Sequence, residues 1–341
     1  MAAPERAKVL SGWEPGLLQF PVECPCKINL GLTVGPRLES RQGLHQIYSL
    51  FLPIRIGALS GVGQEPSDFR GDEIEIRPSP DFHFYSRNEI TGPANIIHAF
   101  ENVSERGPAL EKNLMVRAAR LLQEEVSLAY AESSIPALQI ELTKRIPPGT
   151  GVGAGSSNAA QVLLHAVNQG WISMDQAIQM APALGADVPF FLQSRPALVE
   201  GTGERIRPMR AGPVYGVICF PGVFVSTAEA YSRLKRPLQQ SEDAKLGSLL
   251  SDSDWQAIAA GEWSRLAHWV NDFEAPVFAM HPMLAEIKAS MIQVGAEYCS
   301  LSGSGSALYG LYSNSQRADD ALDRLKSQHP ELPFETFALW G

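Results

Sequence analysis

The sequence contains little of what marks a secreted, metal-binding or membrane-spanning protein. It has four cysteines, and Cys24 and Cys26 are too close for the two-residue gap of a zinc-binding or thioredoxin-like pair. No run approaches the roughly 18 apolar residues that cross a bilayer. Residues 1–20 lack the apolar core of a signal peptide. We therefore expect reduced thiols, a cytoplasmic location and no membrane partner.

Positive charge is also scarce. The chain has 28 lysines and arginines against 37 aspartates and glutamates, which gives a formal net charge of −9. Nucleic-acid binders usually carry a basic face, so this balance predicts a small-molecule partner and no nucleic acid. An anionic substrate is compatible with it, because a local pocket can be positive on an acidic protein. The length of 341 residues suits two domains.

Strand and helix patterns are mixed along the chain. Residues 138–146 (LQIELTKRI) alternate apolar and polar, as expected for a strand with one wet face. Further strands are predicted over residues 20–35, 47–59, 214–220, 306–312 and 335–340, with short strands and loops over 60–111. Helices are predicted over 114–126, 158–168, 174–184, 227–235, 253–270, 282–294 and 316–327. This mixture predicts an α+β fold rather than a doubly wound parallel sheet.

The densest motif is the glycine-rich segment PPGTGVGAGSS at residues 147–157, which lies between the strand at 138–146 and a helix. Glycines at every second position let the backbone approach a ligand and adopt positive φ. Successive amides in such a loop bind anions, and the following helix start adds a positive pole. We therefore predict a phosphate-binding loop, with a flexible surface loop as the alternative.

Two familiar phosphate motifs fit this loop poorly. A Walker A motif requires a lysine after the glycines, and none follows. A dinucleotide fingerprint can be placed on Gly149, Gly151 and Ala154, which would make the chain an oxidoreductase. That alternative is opposed by the polar face of the preceding strand and by Asp175, the acidic residue at the expected distance, which begins a predicted helix.

Four segments, in order, resemble the GHMP kinase superfamily: PCKINLGLTV at 25–34, PPGTGVGAGSSNAA at 147–160, LGADVPFFL at 184–192 and LSGSGSALYG at 301–310. Within the superfamily, the strings KNLMVRAARLL, SSNAA and NDFEAPVF are most similar to the 4-diphosphocytidyl-2-C-methyl-D-erythritol kinases. The resemblance covers residues 21–59 and 112–312.

The resemblance implies a two-domain GHMP-kinase fold, in which mixed and antiparallel sheets pack with helices and the active site lies in the interdomain cleft. We expect an ATP-binding and catalytic domain over residues 1–200, with 1–20 as a loose arm, and a substrate-side domain over 201–341. A monomer or a homodimer is expected.

The implied reaction is phosphorylation of the 2-hydroxyl of 4-diphosphocytidyl-2-C-methyl-D-erythritol in the non-mevalonate isoprenoid pathway, with ATP and Mg²⁺. Two alternatives stay open. The first is another GHMP kinase, which acts on a mevalonate-type, homoserine or sugar-alcohol acceptor. The second is a non-catalytic paralogue that binds nucleotide.

Lys27 and Asp187 are the residues that the resemblance marks as catalytic. Phosphoryl transfer needs an oriented hydroxyl and charge stabilisation. Asp187 can accept the hydroxyl proton, and Lys27, inside an apolar strand, can orient Asp187 and stabilise the nucleophilic oxygen. A solvated turn for Asp187 and an edge-strand lysine for Lys27 are the alternatives.

The resemblance also assigns two sets of binding residues. The ATP and phosphate set comprises Pro147, Gly149, Gly151, Gly153, Gly155, Ser156, Ser157, Asn113, Gly303 and Gly305, with Mg²⁺ expected near Ser156 or Ser157. The acceptor set comprises Asn29, His45, Thr227 and Tyr231. An N-cap role explains Asn113 almost as well, and Tyr231 also fits a core position.

The chain departs from the family pattern beside the acceptor set. Gln42-Gly43-Leu44-His45 stands where the family has Asp-Gly-Tyr-His, so the aromatic ring before the histidine is replaced by Leu44. Cys26 also replaces the usual alanine before the lysine.

Overall fold

The structure is a computed structural model, and it describes residues 21–57, 71–90, 108–129, 135–240 and 249–340. The predicted arm at residues 1–20 lies outside these residues. In the part of 60–111 that is described, two short strands are present, as predicted, together with a short helix that was not predicted.

A nine-stranded sheet forms the centre of the molecule. Its strands run in the order β10-β2-β3-β13-β9-β12-β11, and β7 pairs with β3 and β8. The pairs are antiparallel except β10 with β2. The strands are β2 (Cys26–Leu38), β3 (Leu44–Ile56), β7 (Ala197–Gly201), β8 (Arg205–Pro208), β9 (Tyr215–Cys219), β10 (Leu238–Gln239), β11 (Tyr298–Leu301), β12 (Leu308–Tyr312) and β13 (Phe334–Leu339).

A second sheet of four strands has the order β1-β4-β6-β5, with β1 (Val22–Glu23), β4 (Glu73–Ser79), β5 (His83–Asn88) and β6 (Ala137–Lys144). Along β6, Leu138, Ile140 and Leu142 are buried and the residues between them are partly exposed. The predicted alternation is therefore confirmed, with β4 antiparallel and β5 parallel to β6.

Helices cover both sheets. They are α1 (Pro108–Lys112), α2 (Leu114–Ala129), α3 (Ala154–Asn168), α4 (Met174–Leu184), α5 (Val188–Phe191), α6 (Thr227–Arg233), α7 (Asp252–Ala260), α8 (Glu274–Met280), α9 (Pro282–Gln293) and α10 (Ser315–Gln328). The predicted cap of α4 is confirmed, since Ser173 and Gln176 form a reciprocal capping box.

Two helix predictions were wrong in extent. The helix predicted from 158 begins at Ala154, because Gly153 takes φ 72° and starts the helix inside the glycine-rich segment. The helix predicted over 253–270 ends at Ala260, because Gly261 takes φ 75°, and a separate 3-10 turn follows at Trp263–Leu266. Left-handed glycine ends a helix although apolar periodicity continues beyond it.

Three apolar clusters hold the fold together. One packs α2, α3 and α4 on the four-stranded sheet. The other two lie on opposite faces of the nine-stranded sheet, as β9 shows: Ile218 belongs to one cluster, and Val217 and Cys219 to the other. The mixed architecture confirms the predicted α+β class. The predicted domain boundary at residue 200 falls inside β7, and it stays a prediction.

Candidate active site

A cavity of about 770 Å³ opens between the glycine-rich segment, the start of β2 and the turn after β11. This size is ordinary for a small-molecule site. The structure brings most of the predicted residues to its wall: Lys27, Asn29, His45, Pro147, Gly149, Gly151, Gly153, Gly155, Ser156, Asp187, Thr227, Tyr231 and Gly303.

The glycine-rich loop is tightly fitted to its surroundings. Gly149, Gly151 and Gly153 take φ of 71°, 77° and 72°, a region that side chains rarely adopt. A Cβ at Gly151 would lie 1.9 Å from the carbonyl oxygen of Ser302, and one at Gly153 would lie 2.8 Å from Cε2 of Phe191. Glycine is therefore required at these positions by the backbone path itself.

The first turn of α3 closes the loop. The amide of Ser157 bonds back to the oxygen of Gly153 at 2.9 Å, so the three amides before it have no partner within the helix. Together with the positive end of the helix dipole, they favour an anion at this end of the cavity. Ser156 lies on the wall, whereas the Ser157 hydroxyl is fully buried, without a hydrogen-bond partner in the described part of the chain.

Lys27 and Asp187 meet beside this loop, where the amide of Lys27 donates to the oxygen of Val152 at 2.9 Å. Nζ of Lys27 lies 3.8 Å from Oδ2 of Asp187 and donates a short hydrogen bond to Oδ1 of Asn29. Nζ also lies 4.9 Å from the ring centroid of Phe51. The lysine side chain is 3% exposed and the aspartate 31% exposed. Burial lowers the pKa of Lys27 from its ordinary 10.5, and the nearby charge of Asp187 opposes this shift.

Asn29 is held by a chain of hydrogen bonds. Its Nδ2 donates to Oγ of Ser49 at 3.0 Å, and that hydroxyl donates to the oxygen of Gly31 at 2.6 Å. Oδ1 of Asn29 is therefore turned toward Lys27. The arrangement gives the lysine a fixed position beside the aspartate.

The turn after β11 packs directly on the glycine-rich loop. Oγ of Ser302 donates to the oxygen of Gly151 at 3.1 Å, and the amide of Ala307 donates to the oxygen of Thr150 at 3.0 Å. Nδ2 of Asn271 holds the turn by donating to the oxygens of Leu301 and Gly303, at 2.8 Å each. Gly303 reaches the cavity wall, and Gly305 lies behind it.

The rings of two further residues, His45 and Tyr231, line the cavity. The rings of His45 and Tyr231 lie 4.7 Å apart, and Phe273 packs edge-on against Tyr231 at 4.8 Å. Burial raises the pKa of Tyr231, and the charge of Asp187 adds to this shift. Thr227 shares a 3.0 Å hydrogen bond with Ser304. Leu44, which replaces the family's aromatic ring, is 58% exposed at the cavity mouth.

Three predicted residues do not reach the wall: Asn113, Ser157 and Gly305. Oδ1 of Asn113 accepts from the amide of Met115 at 2.9 Å, which is the capping role weighed as its alternative, and its contact with nucleotide stays a prediction. Sequence reasoning missed Phe51 and Thr202, which line the cavity. Thr202 lies in the string EGTGERI, but nothing local marks Phe51 within a run of apolar residues.

The chain is similar to known proteins over most of its length. Profiles described as "GHMP kinases N terminal domain" and "GHMP kinases C terminal" match residues 113–195 and 256–331. A 4-diphosphocytidyl-2-C-methyl-D-erythritol kinase of Leptospira biflexa is 34% identical over 318 residues, which are 92% of this chain and 96% of that protein. The kinase of the same name from Solibacter usitatus is 39% identical over 88% of this chain and 83% of its own. The chain belongs to the 4-diphosphocytidyl-2-C-methyl-D-erythritol kinase family of GHMP kinases.

Solved structures agree with this assignment. A crystal structure of a 4-(cytidine 5′-diphospho)-2C-methyl-D-erythritol kinase matches with a TM-score of 0.66 and 31% identity, over 94% of this chain and all of that one. A homoserine kinase from Cytophaga hutchinsonii matches with a TM-score of 0.60 at 17% identity, over 95% and 96% of the two chains. The second likeness shows the GHMP fold alone.

GHMP kinases are ATP-dependent, so this family member is an ATP-dependent phosphotransferase. Among the described residues, no helix is long and apolar enough to cross a membrane.

Proposed function

We propose that this kinase transfers the γ-phosphoryl group of ATP to the 2-hydroxyl of 4-diphosphocytidyl-2-C-methyl-D-erythritol. The observation that carries the proposal is the Lys27–Asp187 pair, 3.8 Å apart on the wall of the cavity that the glycine-rich loop also lines. The family names support the acceptor. Two alternatives were a GHMP kinase for another alcohol and a non-catalytic paralogue. Neither is supported by both the names of the relatives and the paired Lys27 and Asp187.

Asp187 is the general base of this proposal. Its carboxylate is partly exposed on the wall, where it can accept the proton of the acceptor hydroxyl as that oxygen attacks phosphorus. The Lys27 ammonium, held between Asp187 and Asn29, orients the carboxylate and stabilises the negative charge on the attacking oxygen. Burial of Lys27 strengthens this interaction, because little water screens it.

The glycine-rich loop and the α3 start hold the phosphates of ATP in this proposal. Gly149, Gly151, Gly153 and the wall residues Pro147 and Gly155 surround them. Gly303 lies next to the loop, close to Nζ of Lys27. The amides at the helix start supply the donors that phosphate oxygens need.

Mg²⁺ fits the same place as part of MgATP. No cluster of three His, Cys, Asp or Glu side chains suited to a metal occurs in the described ranges. Two side chains at the helix start would hold it: Ser156, on the wall, and Ser157, whose buried hydroxyl has no partner among the described residues. When bound, Mg²⁺ neutralises charge on the transferred phosphoryl group.

His45 recognises the cytosine in this proposal. Nδ1 lies 3.2 Å from the oxygen of Gly35, which can only accept, so Nδ1 carries the proton. Burial lowers the pKa of His45 below its ordinary 6.5, and Arg37 and Arg236 add to this shift. The imidazole is then neutral at pH 7, and Nε2 can accept from the exocyclic amino group of cytosine. Tyr231 supplies a stacking surface.

Thr227 and Asn29 complete the acceptor site. Thr227 shares its hydroxyl with Ser304 beside the phosphate loop, a position suited to the acceptor's diphosphate. Asn29 lies next to the Lys27–Asp187 pair, where the reacting hydroxyl must bind.

We further infer a cytoplasmic enzyme that works as a monomer or homodimer. All four cysteines are free and buried, which suits a reducing compartment. The domains proposed at 1–200 and 201–341 place the loop and the Lys27–Asp187 pair on one side, and Thr227, Tyr231 and Gly303 on the other.

A coupled assay of ADP release from MgATP tests the reaction. We expect turnover with the cytidyl acceptor and none with mevalonate or homoserine. Asp187→Asn preserves shape but removes the base, so kcat should fall by about 10²–10⁴-fold with little change in either KM. Asp175→Asn, at the exposed start of α4, is the matched control and should be unaffected. Turnover with homoserine alone, or none with any acceptor, would contradict the assignment.

A further inference from the structure

Asp72 is a buried carboxylate outside the cavity wall. It lies immediately before β4, in the segment for which the sequence suggested no role, and it is 1% exposed. A buried carboxylate is unfavourable unless each of its oxygens is paired. The groups that pair with Asp72 therefore indicate which segments of the chain it holds in place.

Both oxygens of Asp72 are fully engaged. Oδ1 accepts from the backbone amides of Arg145 at 2.8 Å and Ile146 at 2.9 Å. Oδ2 accepts from Nζ of Lys144 at 2.5 Å and from Nδ2 of Asn158 at 2.8 Å. We call these five residues the Asp72 cluster.

The donors of the Asp72 cluster flank the phosphate loop on both sides. Residues 144–146 are the last before the loop, and Asn158 is the first after the Ser156-Ser157 pair. One carboxylate thus bridges the strand that enters the loop and the helix that leaves it. Its own backbone oxygen also accepts from the amide of Cys24 at 2.7 Å, three residues before Lys27.

We propose that Asp72 is a positioning residue for the phosphates of ATP. By joining the two ends of the loop, it fixes their separation and therefore the spacing of the amides that face the phosphates. Misplacement of a binding group by about 1 Å is enough to weaken such contacts strongly. The inference rests on the proposed function, since it requires the loop to bind ATP.

Asp72→Asn tests this role by removing the negative charge and one acceptor atom. The new amide keeps an oxygen for the two backbone amides, but its NH₂ then faces the Lys144 ammonium, which loses its acceptor. We expect the KM and the calorimetric dissociation constant for ATP to rise by about tenfold to a hundredfold. The acceptor KM should stay within about twofold, because the acceptor residues lie on other elements.

An exchange of the two side chains supplies the rescue. Asn158→Asp alone places two carboxylates against each other and should also weaken ATP binding. Asp72→Asn combined with Asn158→Asp restores one carboxylate and one amide, and should recover most of the ATP affinity. Glu75→Gln is the matched control, a carboxylate on β4 that pairs with Arg77 and touches no part of the loop; it should leave both KM values unchanged.

The outcomes separate this inference from the proposed function. If Gly153→Val abolishes ATP binding while Asp72→Asn leaves it intact, the positioning role is wrong. Equal rises in the KM for ATP and the KM for the acceptor would mean that Asp72 is only a structural residue, and so would a lowered Tm with unchanged ATP affinity. Either result overturns the positioning role. If Gly153→Val leaves ATP affinity unchanged, the loop is not the phosphate site and the proposed function fails first. If Asp72→Asn does not fold, Asn158→Leu is the second variant, because it removes the hydrogen bond between Asp72 and α3. It must then lower the ATP affinity and leave the acceptor KM unchanged.

Discussion

Gly155→Ala distinguishes ligand binding from backbone strain within the phosphate loop. Gly155 lies in the first turn of α3 with ordinary helical φ, and an added Cβ would meet no protein atom within 4 Å. Alanine is favoured over glycine in a helix by up to about 1 kcal/mol. The substitution should therefore leave the free energy of unfolding unchanged or raise it by up to about 1 kcal/mol.

The affinity for ATP, in contrast, should fall. Gly155 is on the cavity wall, so the added methyl occupies space that the phosphates need. Overpacking by one methyl costs about 1–3 kcal/mol, which corresponds to roughly a 5- to 150-fold weaker ATP affinity. Urea unfolding gives the first quantity and calorimetric titration with MgATP the second.

Gly153→Ala provides the contrast. There φ is 72° and the new Cβ would lie 2.8 Å from Phe191, so left-handed strain of about 1–2 kcal/mol adds to overpacking, and both stability and ATP affinity should fall. A Gly155→Ala protein that is as stable as the parent and binds ATP equally well would refute the placement of the phosphates at this turn.

Other predictions concern the acceptor and the catalytic pair. The acceptor KM should be constant above pH 6.5 and rise as the pH falls through the lowered pKa of His45, because protonated Nε2 can no longer accept; a flat profile would exclude this contact. Tyr231→Ala should weaken acceptor binding by about 1–3 kcal/mol with the ATP KM unchanged, and Leu44→Tyr should be neutral or tighten it; saturation curves for each substrate check both. Lys27→Ala should lower kcat about as much as Asp187→Asn, and the double variant should fall far short of additivity; full additivity would mean that the two act independently.

Local signals in the sequence were sufficient for much of the fold and for the glycine-rich loop. The alternation in β6, the Ser173 cap and the glycine spacing each depend on neighbouring residues, and the structure agrees with them. The resemblance brought together Lys27 and Asp187, which are far apart in the sequence. Their proximity of 3.8 Å is a property of the fold that periodicity alone does not contain.

What could not be predicted depends on distant partners. Asp72 lies among Gly, Pro and acidic residues that look like a solvated loop, and its partners are more than 70 positions away. Phe51 resembles its apolar neighbours until the fold turns it toward Lys27. The end of α7 before Gly261 was not predicted, because the sequence does not show whether a glycine adopts a left-handed or a helical conformation.

The position of β13 has a consequence for how the protein is made. This strand is the last one that the structure describes, yet it lies between β3 and β9 in the middle of the nine-stranded sheet. A nascent chain still lacking residues 334–339 holds two separate strand groups with unpaired edges, a state open to misassembly. The half that carries Lys27 and the half that carries Gly303 can therefore be joined across the sheet only after these residues have left the ribosome. The nine-stranded sheet is therefore completed only when residues 334–339 can pair with both groups, however early the glycine-rich loop forms.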